Sequence, residues 1–322
     1  MASRPGARRL LRLLRRVAAV LGVIWLALTV LAAAYDVTSS GTVSVPKPDA
    51  YAHDVRTGAV TTHYEQWGTG GSPVVLVHGF LESSYVWQRL GPRLAARGHR
   101  VYALDVRGFG YSERRGPYTL AGDTAQLAAF LTALRLNGTD GPRPLLVGHS
   151  SGAAIVANLA LQHPEAASRI VLLDGDGTPY GVGPGWVHRL FVNPYATAVV
   201  RLATRHPSLA AQVYRSACGP GCPPFDAAAW TTPFRVPGGE AALIAVLRQP
   251  LIGLTYAQEA GLRTPASVVY GSRDPEMSAR DAKDTAVRLH TTDVVEVPGA
   301  PHLVMLAAPD ALAEVLAQRA AG

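Results

Sequence analysis

A serine hydroxyl is a poor nucleophile at neutral pH. It needs a histidine within hydrogen-bond reach, itself oriented by a carboxylate, before it can attack an acyl carbon. The chain offers these residue types at three separate places. Ser150 is the centre of Gly148-His149-Ser150-Ser151-Gly152, Asp274 ends Gly271-Ser272-Arg273-Asp274, and His302 follows Ala300-Pro301. The first is a GxSxG pentapeptide between a hydrophobic run, 145–147, and a small-residue run beginning at Ala153, the context of a serine on a tight strand-to-helix turn. Glycine at both flanks suits such a turn, because a Cβ there would collide with the adjoining strand or helix. Among 32 glycines the pentapeptide alone is weak, and an ordinary strand-to-helix loop is its alternative reading.

The elements that must position these residues can be read from the hydrophobic pattern. Two segments near 50–56 and 59–67 read as an antiparallel hairpin. From Pro73 onward strands and helices alternate: strand 74–77, helix 85–97, strand 100–105, helix 119–136, strand 145–147, helix 151–163, strand 170–174. Such alternation predicts a mostly parallel sheet with helices on both faces. The rhythm breaks at Asp174, where a Gly/Pro-rich loop opens an irregular, mainly helical stretch lasting to about Gly261. It resumes with strand 267–270, helix 278–289, strand 294–297 and a closing helix 303–319. The middle stretch, 175–261, therefore reads as an insertion that divides one core into 50–174 and 262–322. In an open parallel sheet ligands gather at the carboxyl ends of the strands. The loops leaving those ends carry His78-Gly79-Phe80, Ser150, Asp274 and His302, and the order Ser, Asp, His is the one expected for this architecture.

On the HGF turn, the segment Asp105-Val106-Arg107-Gly108-Phe109-Gly110-Tyr111-Ser112, the GHSSG elbow, and the spaced Asp274 and His302, residues 50–320 resemble the α/β-hydrolase family. The resemblance implies an eight-stranded sheet with a mainly helical cap after the sixth strand. It also implies a Ser150-His302-Asp274 triad working without cofactor or metal. The oxyanion hole expected with it is built from the backbone N–H groups of Phe80 and Ser151. Some members carry the acid after the sixth strand, where Asp174 and Asp176 stand, so Asp176 is the alternative acid. His149 and His78 are expected to support the site rather than act as bases, and the 105–112 segment to stabilise its own loop.

A serine at the elbow sets the chain apart from the haloalkane dehalogenases and epoxide hydrolases of this fold, which attack with aspartate. Carboxylic ester hydrolysis is the first expectation. Peptidase, carbon–carbon bond hydrolase and cofactor-free haloperoxidase chemistry are alternatives, as is a non-catalytic binding protein of the same fold. Peptidases of this kind hold a free amino group with acidic cap residues, whereas 175–261 has only Asp176, Asp226, Glu240 and Glu259. Its aromatics, Trp186, Phe191, Tyr195, Phe225, Trp230 and Phe234, are either the lining of an apolar acyl pocket or the packing of the cap itself.

The charge pattern addresses location. Net charge is +7, but Arg4, Arg8, Arg9, Arg12, Arg15 and Arg16 supply six positive charges within the first 16 residues. Removing them leaves 24 basic against 23 acidic side chains, so a nucleic-acid partner has no support. Residues 17–34 follow without a charge, long enough to cross a bilayer and longer than a typical signal-peptide core. A membrane segment (1–35) followed by a linker (36–49) is expected, with the catalytic domain outside the cytoplasmic membrane by the positive-inside rule. Secretion after cleavage near Ala34 is the alternative. Cys218 and Cys222 bracket Gly219-Pro220-Gly221, a spacing open to a small local disulfide or to two free thiols, and too poor in ligands for a metal. No obligate protein partner is indicated.

Overall fold

The computed structural model describes residues 5–45, 51–139, 141–178, 193–219, 221–224, 226–249 and 253–321. Eight strands form one sheet in the order β1-β2-β4-β3-β5-β6-β7-β8. β1 (Ala52–Thr57) and β2 (Val60–Trp67) are the expected hairpin, and β2 also runs antiparallel to β4 (Arg100–Leu104). The other pairs, through β3 (Pro73–Val77), β5 (Leu145–His149), β6 (Arg169–Leu173), β7 (Ala266–Gly271) and β8 (Val294–Val297), are parallel.

The core lies on both faces of this sheet, which is why its parallel strands are almost continuously apolar. Alternation at period two sends Val75, Val77, Leu146 and Leu172 to one face and Val74, Leu76, Val147 and Val171 to the other. The first face is covered by α3 (Leu120–Ala133) and α4 (Ser151–Gln162), the second by α2 (Gly91–Ala96) and α12 (Pro309–Ala320). α4 is rich in alanine because its residues 152–160 are all buried and must lie close to the strands.

Two expected helices are interrupted. The 85–97 segment is a short 3₁₀ turn, Ser84–Trp87, followed by α2, whose second residue is Pro92. A proline has no N–H to continue the ladder of the preceding turn. At the same point Gly91 abuts Trp67, where a Cβ would stand 2.1 Å from the ring. The closing segment is likewise divided into α11 (Val304–Ala307) and α12, because Pro309 begins the second helix.

α1 (Pro5–Thr38) carries the apolar N-terminal run and continues into the first residues of the expected linker. Between β6 and β7 the described chain is helical: α5 (Tyr195–Arg205), α6 (Pro207–Cys218), α7 (Ala227–Thr231), α8 (Gly239–Leu247) and α9 (Tyr256–Glu259). Cys218 and Cys222 are joined by a disulfide, with Cα atoms 5.7 Å apart. Between β7 and β8 runs α10 (Ala279–Arg288), capped by Ser278.

Candidate active site

The elbow between β5 and α4 is built by close approach. A Cβ on Gly148 would lie 2.3 Å from the Gly152 carbonyl oxygen, and one on Gly152 would lie 2.5 Å from that of Val77. With both glycines in place, the chain turns within one residue, and Ser150 takes φ 49° and ψ −121° at the start of α4. Non-glycine residues rarely hold a positive φ unless their surroundings enforce it. Here the enforcement is visible on two sides. Ser150 donates its N–H to Leu173, and Gly175 packs so tightly on the serine backbone that a Cβ there would meet Ser150 O at 2.4 Å. Asp174, which makes the turn into Gly175, is itself at φ 48°.

Asp274 and His302 follow β7 and β8. His302 Nδ1 and Asp274 Oδ2 are 2.9 Å apart, and both side chains are almost fully buried. Burial works against the charged imidazolium, but the hydrogen bond and charge of Asp274 outweigh it, and His302 is held above its ordinary pKa. Burial also works against the Asp274 carboxylate, and its bond to His302 overcomes this and holds it below the usual range. Its 276 N–H contact at 2.7 Å adds to that effect. The pair is thus an ionised acid orienting a histidine of increased basicity.

A second acid lies behind the first. Asp174 is fully buried beside Asp274 and accepts the Gly271 N–H at 2.7 Å. Burial first, and then the neighbouring Asp274 charge, push its carboxyl well above the usual range, so Asp174 is the neutral member of the two. Asp176 lines the Ser150 cavity but is engaged by other partners. It accepts from the Thr178 backbone at 3.0 Å and pairs with Arg288 at 3.3 Å.

The turn after β3 is fixed to the elbow by a buried acid that carries no motif of its own. Glu82 accepts the Gly79 N–H at 2.7 Å and contacts His149 Nδ1 at 3.0 Å, while His149 Nε2 faces the His302 carbonyl at 3.0 Å. Burial opposes the Glu82 carboxylate, yet the adjacent His149 holds it below the usual range. His149 therefore braces the loop of His302 against the Gly79 turn. His78 has a comparable job on the other side: its Nε2 accepts the Val106 N–H at 3.0 Å, which leaves Nδ1 to donate to the Gly79 carbonyl at 2.8 Å. Burial pushes its pKa down, as a neutral ring requires. In the 105–112 segment, Asp105 accepts the backbone N–H groups of Ser84 and Tyr111, both at 2.6 Å, and holds that loop as expected.

Phe80 and Ser151 line one small cavity of about 80 Å³ together with Gly79, Phe109, Tyr118 and Asp123. Ser150 and Ser151 line a second, of about 480 Å³, with Asp174, Gly175, Glu276 and Met277 among its described walls. The aromatic lining thus comes from the loops after β3 and β4. Of the aromatics for which pocket lining and packing were the two readings, Phe234 packs edge-on against Phe109, Trp230 packs against Tyr85 and Tyr214, and Tyr195 contacts α1. Trp186, Phe191 and Phe225 lie outside the described residues. Among the described residues no cluster of His, Cys, Asp and Glu could hold a metal ion.

Known proteins place this architecture. A family profile described as alpha/beta hydrolase fold matches residues 72–309. The chain is 34% identical over 116 residues to an epoxide hydrolase of Caballeronia sordidicola, covering 35% of this chain and 33% of that one. It is also 34% identical over 116 residues to Lipase LipV of Mycobacterium tuberculosis, covering 36% and 42%. The chain thus spans less than half the length of these curated relatives. Among solved structures, a membrane phospholipase A superposes with a TM-score of 0.66 at 23% identity, covering 98% of both chains. A thermophilic esterase from Thermogutta terrifontis gives 0.66 at 22% identity, covering 84% of this chain and 98% of its own. At those identities the structures speak for the fold. A profile match over well more than half of the chain, on a sheet of this order, makes the protein a member of the alpha/beta hydrolase fold family.

Proposed function

We propose that the protein is a serine hydrolase that cleaves carboxylic esters through an acyl-enzyme, with Ser150 as nucleophile, His302 as base and Asp274 as the orienting acid. The observation that carries this reading is the His302–Asp274 contact at 2.9 Å, on loops that leave the carboxyl ends of β7 and β8, as the elbow holding Ser150 at φ 49° leaves that of β5. His302 accepts the Ser150 proton as Oγ attacks the acyl carbon. The ester C–O bond then breaks, the alcohol leaves with the proton from His302, and water repeats the sequence to free the acid and restore Ser150. The backbone N–H groups of Ser151 and Phe80 receive the negative charge that develops on the carbonyl oxygen, each such donor being worth roughly 3 kcal/mol to the transition state. Epoxide opening by an aspartate nucleophile at the elbow is not supported, because position 150 is serine.

We read the helical insertion between β6 and β7 as a cap over this site and α1 as a retained membrane anchor, with the catalytic domain extracytoplasmic. What supports retention is that α1 is packed on the insertion: Thr29 hydrogen-bonds Tyr195, Tyr35 Oη is 3.2 Å from His206 Nε2, and Arg201 donates to the Asp36 carbonyl. Cleavage near Ala34 would discard Thr29 and part of that packing. The likeness to a membrane phospholipase A over 98% of the chain accords with an anchored esterase. The test is hydrolysis of short and medium p-nitrophenyl esters by the full chain in detergent beside Ser150→Ala. Turnover by the parent and none by the variant supports the assignment. Equal rates in both, or none in either, rejects it.

A further inference from the structure

The insertion meets α1 at an unusual level. The uncharged run 17–34 spans about 27 Å as a helix, close to the roughly 30 Å hydrocarbon thickness of a bilayer. Thr29 lies five residues before the end of that run, about 8 Å inside it. Its partner is Tyr195, the first residue of α5, while His206, just past the end of α5, partners Tyr35, just beyond the apolar run. α5 thus enters at the depth of Thr29 and leaves at the level of Tyr35.

The outward surface of α5 suits that depth. Tyr195, Val199, Leu202 and His206 recur at helical spacing on one stripe. Val199 is 55% exposed and Leu202 42%, and Leu209 in the first turn of α6 continues the patch at 38%. The opposite side, Ala196, Val200 and Thr204, is buried in the insertion. The only charges on α5 are Arg201 and Arg205, and both are engaged, by Glu240 at 2.8 and 2.6 Å and by the carbonyls of Asp36 and Gly41. An apolar face with its cations held at one end is what a helix lying in a membrane interface presents, and such helices sink about 5–10 Å.

We infer that the stripe Tyr195-Val199-Leu202, continued by Leu209, is seated in the extracytoplasmic leaflet of the bilayer that α1 crosses. The insertion then rests on the lipid as well as being tethered to it. This rests on the reading of α1 as a retained anchor and is independent of the chemistry at Ser150.

The test uses the full chain with its disulfide intact, reconstituted in phosphatidylcholine–phosphatidylglycerol vesicles. Single cysteines replace Val199, Leu202 or Leu209, all exposed, and are labelled with an environment-sensitive fluorophore. Lipids spin-labelled near the headgroup or near the chain end report depth. Val23→Cys in mid-α1 and Val287→Cys, 73% exposed on α10, are the references. The inference predicts several-fold stronger quenching at 199 and 202 than at 287, greatest with the headgroup-proximal spin label, and quenching at 23 by the chain-end label. Quenching at 23 with 199 and 202 behaving like 287 overturns the seat while leaving the anchor. A blue-shifted but unquenched label at 199 and 202 also overturns it, since protein would then cover the face. No quenching at 23 overturns both the anchor and the seat.

Discussion

The backbone N–H of His302 donates to the carbonyl of Cys218 at 3.0 Å. The loop closed by the Cys218–Cys222 disulfide therefore touches the proposed base directly, and Gly219 in that loop packs on Pro275, next to the proposed acid. Small displacements of reacting groups cost up to about 10²-fold in rate. The double variant Cys218→Ser/Cys222→Ser is expected to lose about ten-fold in kcat with a smaller change in KM. Steady-state kinetics on a p-nitrophenyl ester check this, and unaltered kcat would mean the loop does not hold His302.

Three aspartates follow β6 and β7 near the site, and their environments predict that only one of them is essential. Asp274→Asn removes the ionised partner of His302 and should lower kcat by about 10⁴. Asp176→Asn should leave turnover within a few-fold, because Asp176 is bound to Thr178 and Arg288. Asp174→Asn should also be tolerated, since an amide resembles the neutral carboxyl that burial and Asp274 impose. Parallel turnover measurements on the three variants decide the assignment.

The base must be neutral to accept the serine proton, so kcat/KM should rise with pH. Because Asp274 holds His302 above its ordinary pKa, the midpoint of that rise should lie above the value of a free imidazole. In Asp274→Asn the raising partner is gone and burial remains, so the midpoint of the residual activity should move to lower pH. A pH–rate profile of parent and variant tests the direction.

Asp123 lines the cavity beside Phe80 and Ser151, and burial raises its pKa to about 7, with Arg107 acting in the opposite direction. A carboxyl whose folded pKa is raised gives stability that is complete below its unfolded pKa and is lost as pH rises through about 7. Asp123→Asn does not ionise and escapes that loss. Relative to the parent, the variant should gain about 2 kcal/mol between pH 5 and pH 8, read from urea unfolding at the two values.

The parts of the fold that were readable from the sequence are those whose pattern is local. Val74 to Val77, the small residues after Ser151, and Asp274 and His302 just past apolar strands announce strand ends and what leaves them. The mostly parallel sheet follows from that alternation, and its eight strands are what the family resemblance implies. The breaks at Pro92 and Pro309 were visible as prolines, but an uninterrupted apolar pattern on either side masked them. Glu82 was not legible, because its importance lies in a contact with His149, 67 positions away in the chain, and an acid three residues after Gly79 has no periodic signature. Nor was the role of Asp174, which depends on contacts with Gly271, 97 positions away in the chain, and with Asp274. The aromatics after β6 illustrate the reverse. Residue type left pocket lining and packing open, and three-dimensional neighbours give Trp230 and Phe234 to packing.

A covalent acyl group on Ser150 is the intermediate the mechanism requires, and it is detected by intact-protein and peptide mass spectrometry after a rapid acid quench of turnover with a slowly deacylating p-nitrophenyl ester. One acyl mass is expected on the peptide that contains Ser150, absent from Ser150→Ala. Ester turnover with no adduct on that peptide, or an adduct that persists in Ser150→Ala, would contradict it.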